Sequence, residues 1–212
     1  MTGSAGLTQD RDFTSPAPEA VIERVLGAIR ANNIDARVVN TAKEARRMVL
    51  DLVPEGAEVH SGKSKTLVDI GVYQDLFESG RYDALRPRYM KMDRQTQARE
   101  MRKLTAAPDY MVGSVQAIIE DGDLVVVSAS SSQLGAYANG AGRLIIVAGS
   151  QKIVRDFDEA MRRVERHVLP YEDAIVHERM KIHTFIGKVL IIRREWIDGR
   201  ITAILVREPV GV

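Results

Sequence analysis

The sequence predicts a single layered α/β domain built on a mixed central sheet. Short apolar segments typical of strands alternate along the chain with segments of helical spacing, which is the order expected of a layered α/β fold. Residues 144–148 form a continuous apolar run that ends in a glycine, as a parallel strand buried on both faces would. Two Asp-Gly pairs, at residues 121–122 and 198–199, lie between apolar segments and predict hairpins, so antiparallel strands are expected as well.

The first elements follow directly from the N-terminal third of the chain. Residues 1–17 mix Gly, Ser, Thr, Ala and Pro with charged residues and predict a flexible arm, which leaves residues 18–212 as the domain. Apolar residues at helical spacing predict a helix that ends near Asn32. A short strand is expected over residues 34–39.

The same patterns continue through the rest of the domain. Residues 41–44 have the spacing of a capping box and begin a second helix, which a proline and a glycine end before a brief strand at residues 57–60. Further strands are expected at residues 110–112 and on both sides of the first Asp-Gly pair. Asp156 with Glu159 repeats the N-cap pattern and predicts a helix that reaches about His167.

Composition excludes several classes of function. The 212 residues include 30 Lys and Arg against 29 Asp and Glu, so the chain lacks the basic excess of a non-specific nucleic-acid or membrane-surface binder. It contains no cysteine, which excludes disulfides, a thiol nucleophile and an iron–sulfur cluster held by its own thiolates. No apolar run is as long as a membrane helix, and the N-terminus lacks the pattern of a signal peptide. A cytoplasmic protein is therefore expected.

The segment between the strand at residues 57–60 and the following helix has the composition of an anion-binding loop. Helix-opening amides, small hydroxyl residues, a glycine and lysines together suit a phosphate or a carboxylate. The alternative is that Ser64 only caps the helix while Lys63 and Lys65 are solvated. The candidate ligand-binding residues here are Ser61, Gly62, Lys63, Ser64, Lys65 and Thr66.

Three stricter motifs are not met. Five residues separate Gly56 from Gly62, where a nucleotide-triphosphate loop requires four. The glycines at residues 140–142 precede a strand, whereas those of a dinucleotide fingerprint follow one. His177 and His183 lack the i, i+4 spacing that places two imidazoles on one helical face, so no metal site is predicted.

Two residues are candidate catalytic groups. His60 stands at the entrance to the anion-binding loop, and an imidazole there could exchange protons near pH 7. Glu120 stands at a predicted strand end, where a carboxylate could act as a base or a nucleophile. The alternatives are that His60 is polar lining and that Glu120 is solvated.

Several segments together resemble the LUD domain family, the lactate-utilisation proteins of the LutC/YkgG type. They cover roughly residues 20–212, and the most specific are the loop before Leu67 and a Gly-x-x-Lys-Ile-Val element. The segments are Ser61–Leu67 with Gly71, Ala107–Ser114, Ala117–Leu124, Ile145–Val154 and Leu205–Gly211.

The resemblance implies a fold like that of ribose-phosphate isomerases, CoA transferases and formyltetrahydrofolate cyclo-ligase. In those relatives a Gly/Ser/Thr-rich turn after a strand often receives an anionic group, and Ser114 and Lys152 join the loop residues as candidate ligand-binding residues. A glycine is expected near Ser131, within a run of serines.

The family name implies a role in oxidising L-lactate to pyruvate. This chain would act there as a non-redox subunit or accessory factor beside iron–sulfur partner proteins, because it has no cysteine to hold a cluster. The alternatives are a stand-alone enzyme or binding protein for a phosphorylated, CoA-linked or folate-like molecule, and a sensing or scaffold domain without turnover. A small anionic ligand and self-association into a homo-oligomer are further expectations.

Overall fold

The computed structural model describes residues 13–62 and 64–212, and its strands form two sheets. The strands are β1 (Asp35–Val39), β2 (Glu58–His60), β3 (Asp83–Ala84), β4 (Tyr110–Gly113), β5 (Ala117–Ile119), β6 (Leu124–Ser128), β7 (Arg143–Gly149), β8 (Ile153–Val154), β9 (Lys188–Ile192) and β10 (Ile201–Val206). The α-helices are α1 (Glu19–Ala31), α2 (Ala42–Leu52), α3 (Lys65–Asp69), α4 (Val72–Glu78), α5 (Leu85–Tyr89), α6 (Ala98–Ala106), α7 (Phe157–Arg163) and α8 (Leu169–Met180).

The larger sheet is parallel and the smaller one is mixed. Six strands form the larger sheet in the order β1-β10-β7-β4-β2-β3, and every neighbouring pair in it is parallel. The smaller sheet has the order β8-β5-β6-β9, with β5 antiparallel to β6 and parallel to β8. The layered α/β class predicted from the sequence is confirmed, and the antiparallel pairs are confined to the smaller sheet.

Strand β7 shows why the larger sheet is covered on both faces. Its side chains alternate between two hydrophobic clusters, because successive residues of a strand point to opposite faces. Leu144 and Ile146 pack in the cluster that includes the apolar face of α1, whereas Ile145 and Val147 pack in the cluster that includes residues of α2 and α4. The continuous apolar run in the sequence is therefore the signature of a central strand that is buried on both faces.

The second predicted hairpin is wrong. The turn at the Asp-Gly pair exists, and Gly199 adopts the left-handed conformation that favours glycine, with φ of 69°. The strands on its two sides belong to different sheets: β9 pairs with β6, and β10 lies between β1 and β7. Burial decides the outcome, because every residue of β10 is buried while most of β9 is exposed.

Two neighbouring strands leave the larger sheet and enter the smaller one. The chain runs from β4 into β5 through residues 114–116, and from β7 into β8 through residues 150–152. β4 pairs with β7 in the larger sheet, and β5 pairs with β8 in the smaller sheet. We call this place the fork. Backbone groups at the fork leave the ladder of one sheet before they join the other, so they need other partners.

Two further segments differ from the sequence predictions. Residues 1–12 of the predicted flexible arm lie outside the described residues, but Phe13 and Ala17 are buried against the domain, where the Ala17 amide donates to Ser150 Oγ. The helix predicted to end near His167 instead continues through a π turn at residues 164–168 into α8. The wider turn lets the helix pass Pro170, which lacks an N–H and would clash in a regular helix.

Candidate functional site

A small pocket opens at the carboxyl ends of three adjacent parallel strands, beside the fork. Its cavity volume is about 60 Å³. The loop after β2 forms one wall, the segment after β4 forms the floor, and the turn after β7 brings in a lysine. Carboxyl ends of parallel strands are where ligands bind in open α/β sheets. The polar residues that line it include Ser61, Ser64, Thr66, Ser114, Gln116, Gln133, Lys152 and Glu172.

The loop after β2 is positioned by its own hydrogen bonds. Ser64 is the N-cap of α3 and accepts a hydrogen bond from the Leu67 amide, at 3.4 Å. The Ser61 hydroxyl donates to the Gly62 carbonyl at 2.7 Å. Lys63, which the sequence predicts as a ligand-binding residue, lies outside the described residues. Ser64 therefore has the capping role that was the alternative, while the loop as a whole still lines the pocket.

Lys65 forms an ion pair on the outer surface of the protein. Its ammonium donates to Asp69 one helical turn further on, and this hydrogen bond raises the pKa of Lys65. The Asp69 carboxylate thus neutralises Lys65, which the sequence predicts as a ligand-binding residue. Lys65 still contributes to the pocket wall, but its charge is shared with a carboxylate.

Lys152 is the group around which the pocket is organised. Its side chain is 3% exposed, and its Nζ donates to Thr66 Oγ1 at 3.0 Å, to Ser114 Oγ at 3.1 Å and to the Val115 carbonyl at 3.2 Å. The Thr66 hydroxyl also donates to Ser114 Oγ, at 3.1 Å. The structure therefore brings together three predicted site residues from widely separated parts of the sequence.

The surroundings of Lys152 disfavour its charged form. Burial, together with the positive charge of Arg163, lowers the pKa of Lys152 to about 7. Arg163 is itself fully buried, and burial lowers its pKa to about 10. Its Nη1 donates to the Gln116 carbonyl, whereas Nε and Nη2 have no hydrogen-bond partner among the described residues. Lys152 is thus poised to gain or lose a proton near neutral pH.

Sequence reasoning missed several residues of the pocket, among them Gln133, Tyr137 and Glu172. Gln133 follows the serine loop and lines the wall opposite the loop after β2; a Cβ added at Gly62 would lie 3.7 Å from the Gln133 side chain. Tyr137 is buried and donates its hydroxyl to the Ser114 carbonyl at 2.9 Å. Glu172 comes from α8. The prediction that this helix ends near His167 concealed Glu172, and nothing in the sequence pattern marked the other two.

The serine loop adopts the conformation expected of a glycine. Ser131 has a φ of 64°, in the left-handed region, and its amide donates to Ser128 Oγ at 2.9 Å. The Ser128 hydroxyl donates to Gln133 Oε1 at 3.3 Å. The hydrogen bond to the Ser128 side chain therefore helps to hold Ser131 in a backbone conformation that a glycine adopts more readily. The loop in this conformation places Gln133 at the pocket.

The two predicted catalytic residues lie outside the pocket lining. Glu120 lies in the turn between β5 and β6 and forms a 2.6 Å ion pair with Arg24 of α1. His60 is buried beside Tyr89, and burial together with the charge of Arg86 lowers the pKa of His60 to about 4. The imidazole is therefore neutral at pH 7, and neither residue contacts the space around Lys152.

A second cavity of about 170 Å³ adjoins the first. The two share four lining residues, Gln116, Gln133, Val168 and Glu172. The second cavity is bounded on its outer side by Phe185, which is 62% exposed. A ligand anchored at Lys152 thus has space beyond the first cavity.

The groups around Lys152 are suited to proton transfer and to binding a small carboxylate. An amino group between two hydroxyls can hold a carboxylate by charge-assisted hydrogen bonds, or polarise a carbonyl group. Within residues 13–62 and 64–212 no group of three or more His, Asp or Glu is arranged to hold a metal ion. In the same part of the chain no helix is long and apolar enough to cross a membrane.

Fold and site together define an α/β domain with a lysine-centred pocket at the carboxyl edge of a parallel sheet. The LUD domain family model matches residues 22–189, and the chain belongs to that family. Membership relates the chain, at family level, to lactate utilisation. No curated protein matches the chain.

A solved structure has a similar fold. The crystal structure of a DUF162 family protein from Deinococcus radiodurans superposes with a TM-score of 0.53 at 14% sequence identity. The match covers 90% of this chain and 99% of that one. At this identity the likeness concerns the arrangement of the elements, and it carries no information about ligands.

Proposed function

We propose that this protein acts as a non-redox subunit of a system that oxidises L-lactate to pyruvate beside iron–sulfur partner proteins. Its own contribution is to bind a three-carbon 2-hydroxy or 2-oxo acid in the Lys152 pocket. The observation that carries the proposal is the buried amino group of Lys152, which lies between the hydroxyls of Thr66 and Ser114 in an open cavity. A carboxylate placed there would replace hydrogen bonds that Lys152 otherwise makes to these hydroxyls.

The size of the first cavity favours a small acid. A cavity needs roughly 10–15 Å³ by this measure to hold one water. A volume of about 60 Å³ therefore corresponds to a few waters, which is similar to the space that a three-carbon acid occupies.

The charges around the cavity favour a monoanion over a phosphate. Among the described lining residues, Lys65 is already paired with Asp69, and Glu172 adds a carboxylate. A doubly charged phosphate would face this carboxylate with Lys152 as its main counter-charge, whereas a carboxylate requires only one cation.

In this role, any iron–sulfur cluster would be held by the partner proteins. Iron–sulfur clusters are held by cysteine thiolates, and the sequence contains none. An exposed apolar surface supports partner contact: Trp196 is 94% exposed and Ile197 is 50% exposed. Both lie on a turn that is fixed by a buried ion pair between Glu195 and Arg200, at 2.7 Å.

The second cavity favours the alternative function. A stand-alone enzyme or binding protein for a phosphorylated, CoA-linked or folate-like molecule needs more room than a three-carbon acid, and the adjoining 170 Å³ supplies it. The two functions differ in ligand size. Only the alternative predicts that substitutions lining the second cavity alone, such as Ala129→Trp, weaken binding.

Titration calorimetry tests the proposal on the purified chain. We expect lactate and pyruvate to bind to the wild-type protein, and Lys152→Met to weaken binding by about 10- to 150-fold, the equivalent of one charge-assisted hydrogen bond of about 1.5–3 kcal/mol. Lys91→Met, at an exposed position outside the pocket lining, is the matched control and should leave affinity unchanged.

Growth provides the second arm of the test. A strain that lacks the gene should fail to grow on L-lactate and should be rescued by the wild-type gene. Normal growth of the deletion strain on lactate would contradict the lactate-oxidation role. Binding of CoA esters, folates or sugar phosphates in place of the three-carbon acids would favour the alternative.

A further inference from the structure

We propose that the Lys152 amino group forms a reversible ketimine with the 2-oxo carbon of an acid bound in the pocket. This inference rests on the proposed function in one respect, namely that a 2-oxo acid enters the cavity. It goes further because it makes Lys152 a covalent catalytic residue, whereas the proposed function requires only a binding cation.

The step balances without an oxidant or a reductant. The lone pair of Nζ adds to the C2 carbonyl, forming a C–N bond and a carbinolamine. The carbinolamine then loses the former carbonyl oxygen as water, and the remaining bond becomes C=N. Both protons of the neutral amine leave with that oxygen, and hydrolysis reverses the sequence.

The first support is the absence of a direct counter-ion. Among residues 13–62 and 64–212, the hydrogen bonds of Lys152 go to two hydroxyls and one backbone carbonyl, and it forms no ion pair with a carboxylate. Lys65 shows the contrast, because its ammonium contacts Asp69 directly. A lysine held by a carboxylate stays an ammonium, whereas one held by neutral groups in a buried site can give up its proton.

The second support is the chemistry of the two hydroxyls. A hydroxyl can donate or accept, so Thr66 and Ser114 can serve either protonation state of Lys152. Toward the ammonium both accept. Toward the neutral amine one of them can donate, and the 3.1 Å contact between the two hydroxyls links them into a path for protons. Formation and dehydration of a carbinolamine both require such proton transfer.

The third support is electrostatic. Burial is the largest cause of the lowered pKa of Lys152, and the buried guanidinium of Arg163 adds to it. The carboxylates of Asp69 and Glu172 act in the opposite direction, and the resulting pKa is about 7. A substantial fraction of the amine is therefore neutral at pH 7. Desolvation and a neighbouring cation are the two established ways to activate a lysine as a nucleophile.

The competing role for Lys152 is purely structural. Its bond to the Val115 carbonyl satisfies a backbone group at the fork, which a structural ammonium would do equally well. The two roles differ in reactivity, because a structural ammonium does not attack a carbonyl. The test therefore measures covalent reaction at this side chain in the wild-type protein, so that folding of a variant is not required.

Reductive trapping is the direct experiment. The full chain is incubated with pyruvate or with L-lactate in the presence of sodium cyanoborohydride, and the products are followed by intact mass and by peptide mapping. We expect one added mass of a reduced 2-oxo acid with pyruvate, mapped to Lys152, and none with lactate, which has no carbonyl group.

Variants separate a catalytic group from a merely reactive lysine. Thr66→Val should slow trapping at Lys152 by at least about tenfold, because it removes a hydroxyl from the proton path. Lys91→Ala, at an exposed lysine outside the pocket lining, should trap at the wild-type rate. Circular dichroism confirms that each variant is folded.

The outcomes separate this inference from the proposed function. No adduct at Lys152, or adducts only at exposed lysines, overturns the inference, whether or not calorimetry detects pyruvate binding. Pyruvate binding without an adduct leaves the proposed function standing. An adduct at Lys152 in a protein whose deletion strain grows normally on lactate supports the inference and contradicts the lactate-oxidation role.

Discussion

The proton affinity of Lys152 should be visible in the pH dependence of folding. The pKa of Lys152 is lowered from 10.5 to about 7 by burial and by Arg163. Between these two values the unfolded chain binds a proton at this position that the folded protein has released. Raising the pH in this window therefore favours the folded state, by up to about 1.4 kcal/mol per pH unit.

The comparison with Lys152→Met isolates this contribution. Over the whole window the wild-type protein should gain about 5 kcal/mol relative to the variant, at about 1.4 kcal/mol for each tenfold change in proton affinity. The gain is complete only above about pH 11 and absent below about pH 6. Since domains of ordinary stability unfold at a cost of about 5–15 kcal/mol, an effect of this size is easily measured.

Urea unfolding followed by circular dichroism, at intervals from pH 6 to pH 10, is the assay. Other groups also titrate in this range, but subtraction of the two curves removes those that the proteins share. Lys65→Met is the control for the direction in which the free energy of unfolding changes with pH. Its pKa is raised by Asp69, so its stabilisation is already full below pH 10 and is lost only as the pH rises further. Parallel curves for wild type and Lys152→Met would refute the reasoning, because they would mean that Lys152 keeps its proton on folding.

Three further predictions concern the frame around the pocket. Glu195→Gln should lower the free energy of unfolding by about 3–5 kcal/mol in urea titrations, because it leaves the Arg200 guanidinium buried without its partner charge; a loss below 1 kcal/mol would contradict this. Gly113→Ala should lower the melting temperature and weaken pyruvate binding, because the added Cβ would lie 1.9 Å from the Tyr137 hydroxyl; unchanged calorimetry would show that the site tolerates the shift. Trp196 is the single tryptophan, so its fluorescence should be that of a water-exposed indole and should shift to shorter wavelength when an iron–sulfur partner binds; no shift in a verified complex would place the interface elsewhere.

Periodicity in the sequence was sufficient for most of the fold. The apolar face of α1 and the run of β7 each have one dominant pattern, and in both cases local propensity and burial agree. The capping pattern at Thr41 also predicts what the structure has: its hydroxyl accepts from the Glu44 amide at 3.2 Å. The Glu44 carboxylate accepts from Asn40, one residue earlier than in the standard box.

The errors arose where tertiary partners decide the structure. A turn signal such as Asp198-Gly199 specifies a local reversal of the chain, but it does not specify which strands pair afterwards. The continuation of α7 past Pro170 depends on a π turn, which has no simple sequence signature. Glu172 lies beyond that turn. Because the helix was predicted to end near His167, Glu172 was not predicted as a pocket residue.

The sequence predicts the part of the candidate site that depends on local composition, and it does not predict the part that depends on tertiary neighbours. Hydroxyl and glycine residues after a strand mark a loop that can approach a ligand, and in the structure five residues of this loop line the pocket: Ser61, Gly62, Ser64, Lys65 and Thr66. It could not separate Lys65, which pairs with Asp69, from Lys152, which does not form such a pair among the described residues. The state of a lysine depends on neighbours that are distant in sequence, and only the folded chain shows them.

The fork links the chemistry of the pocket to the architecture of the domain. Ser114 and Lys152 stand where two adjacent strands bend out of one sheet into the other, and the Nζ to Oγ contact of 3.1 Å spans the two bends. A ligand bound to both side chains would hold the two bends together and restrain the angle between the sheets. Amide hydrogen exchange in β5 and β8 should then slow when a ligand fills the pocket. Unaltered exchange there would show that the ligand does not restrain the sheets.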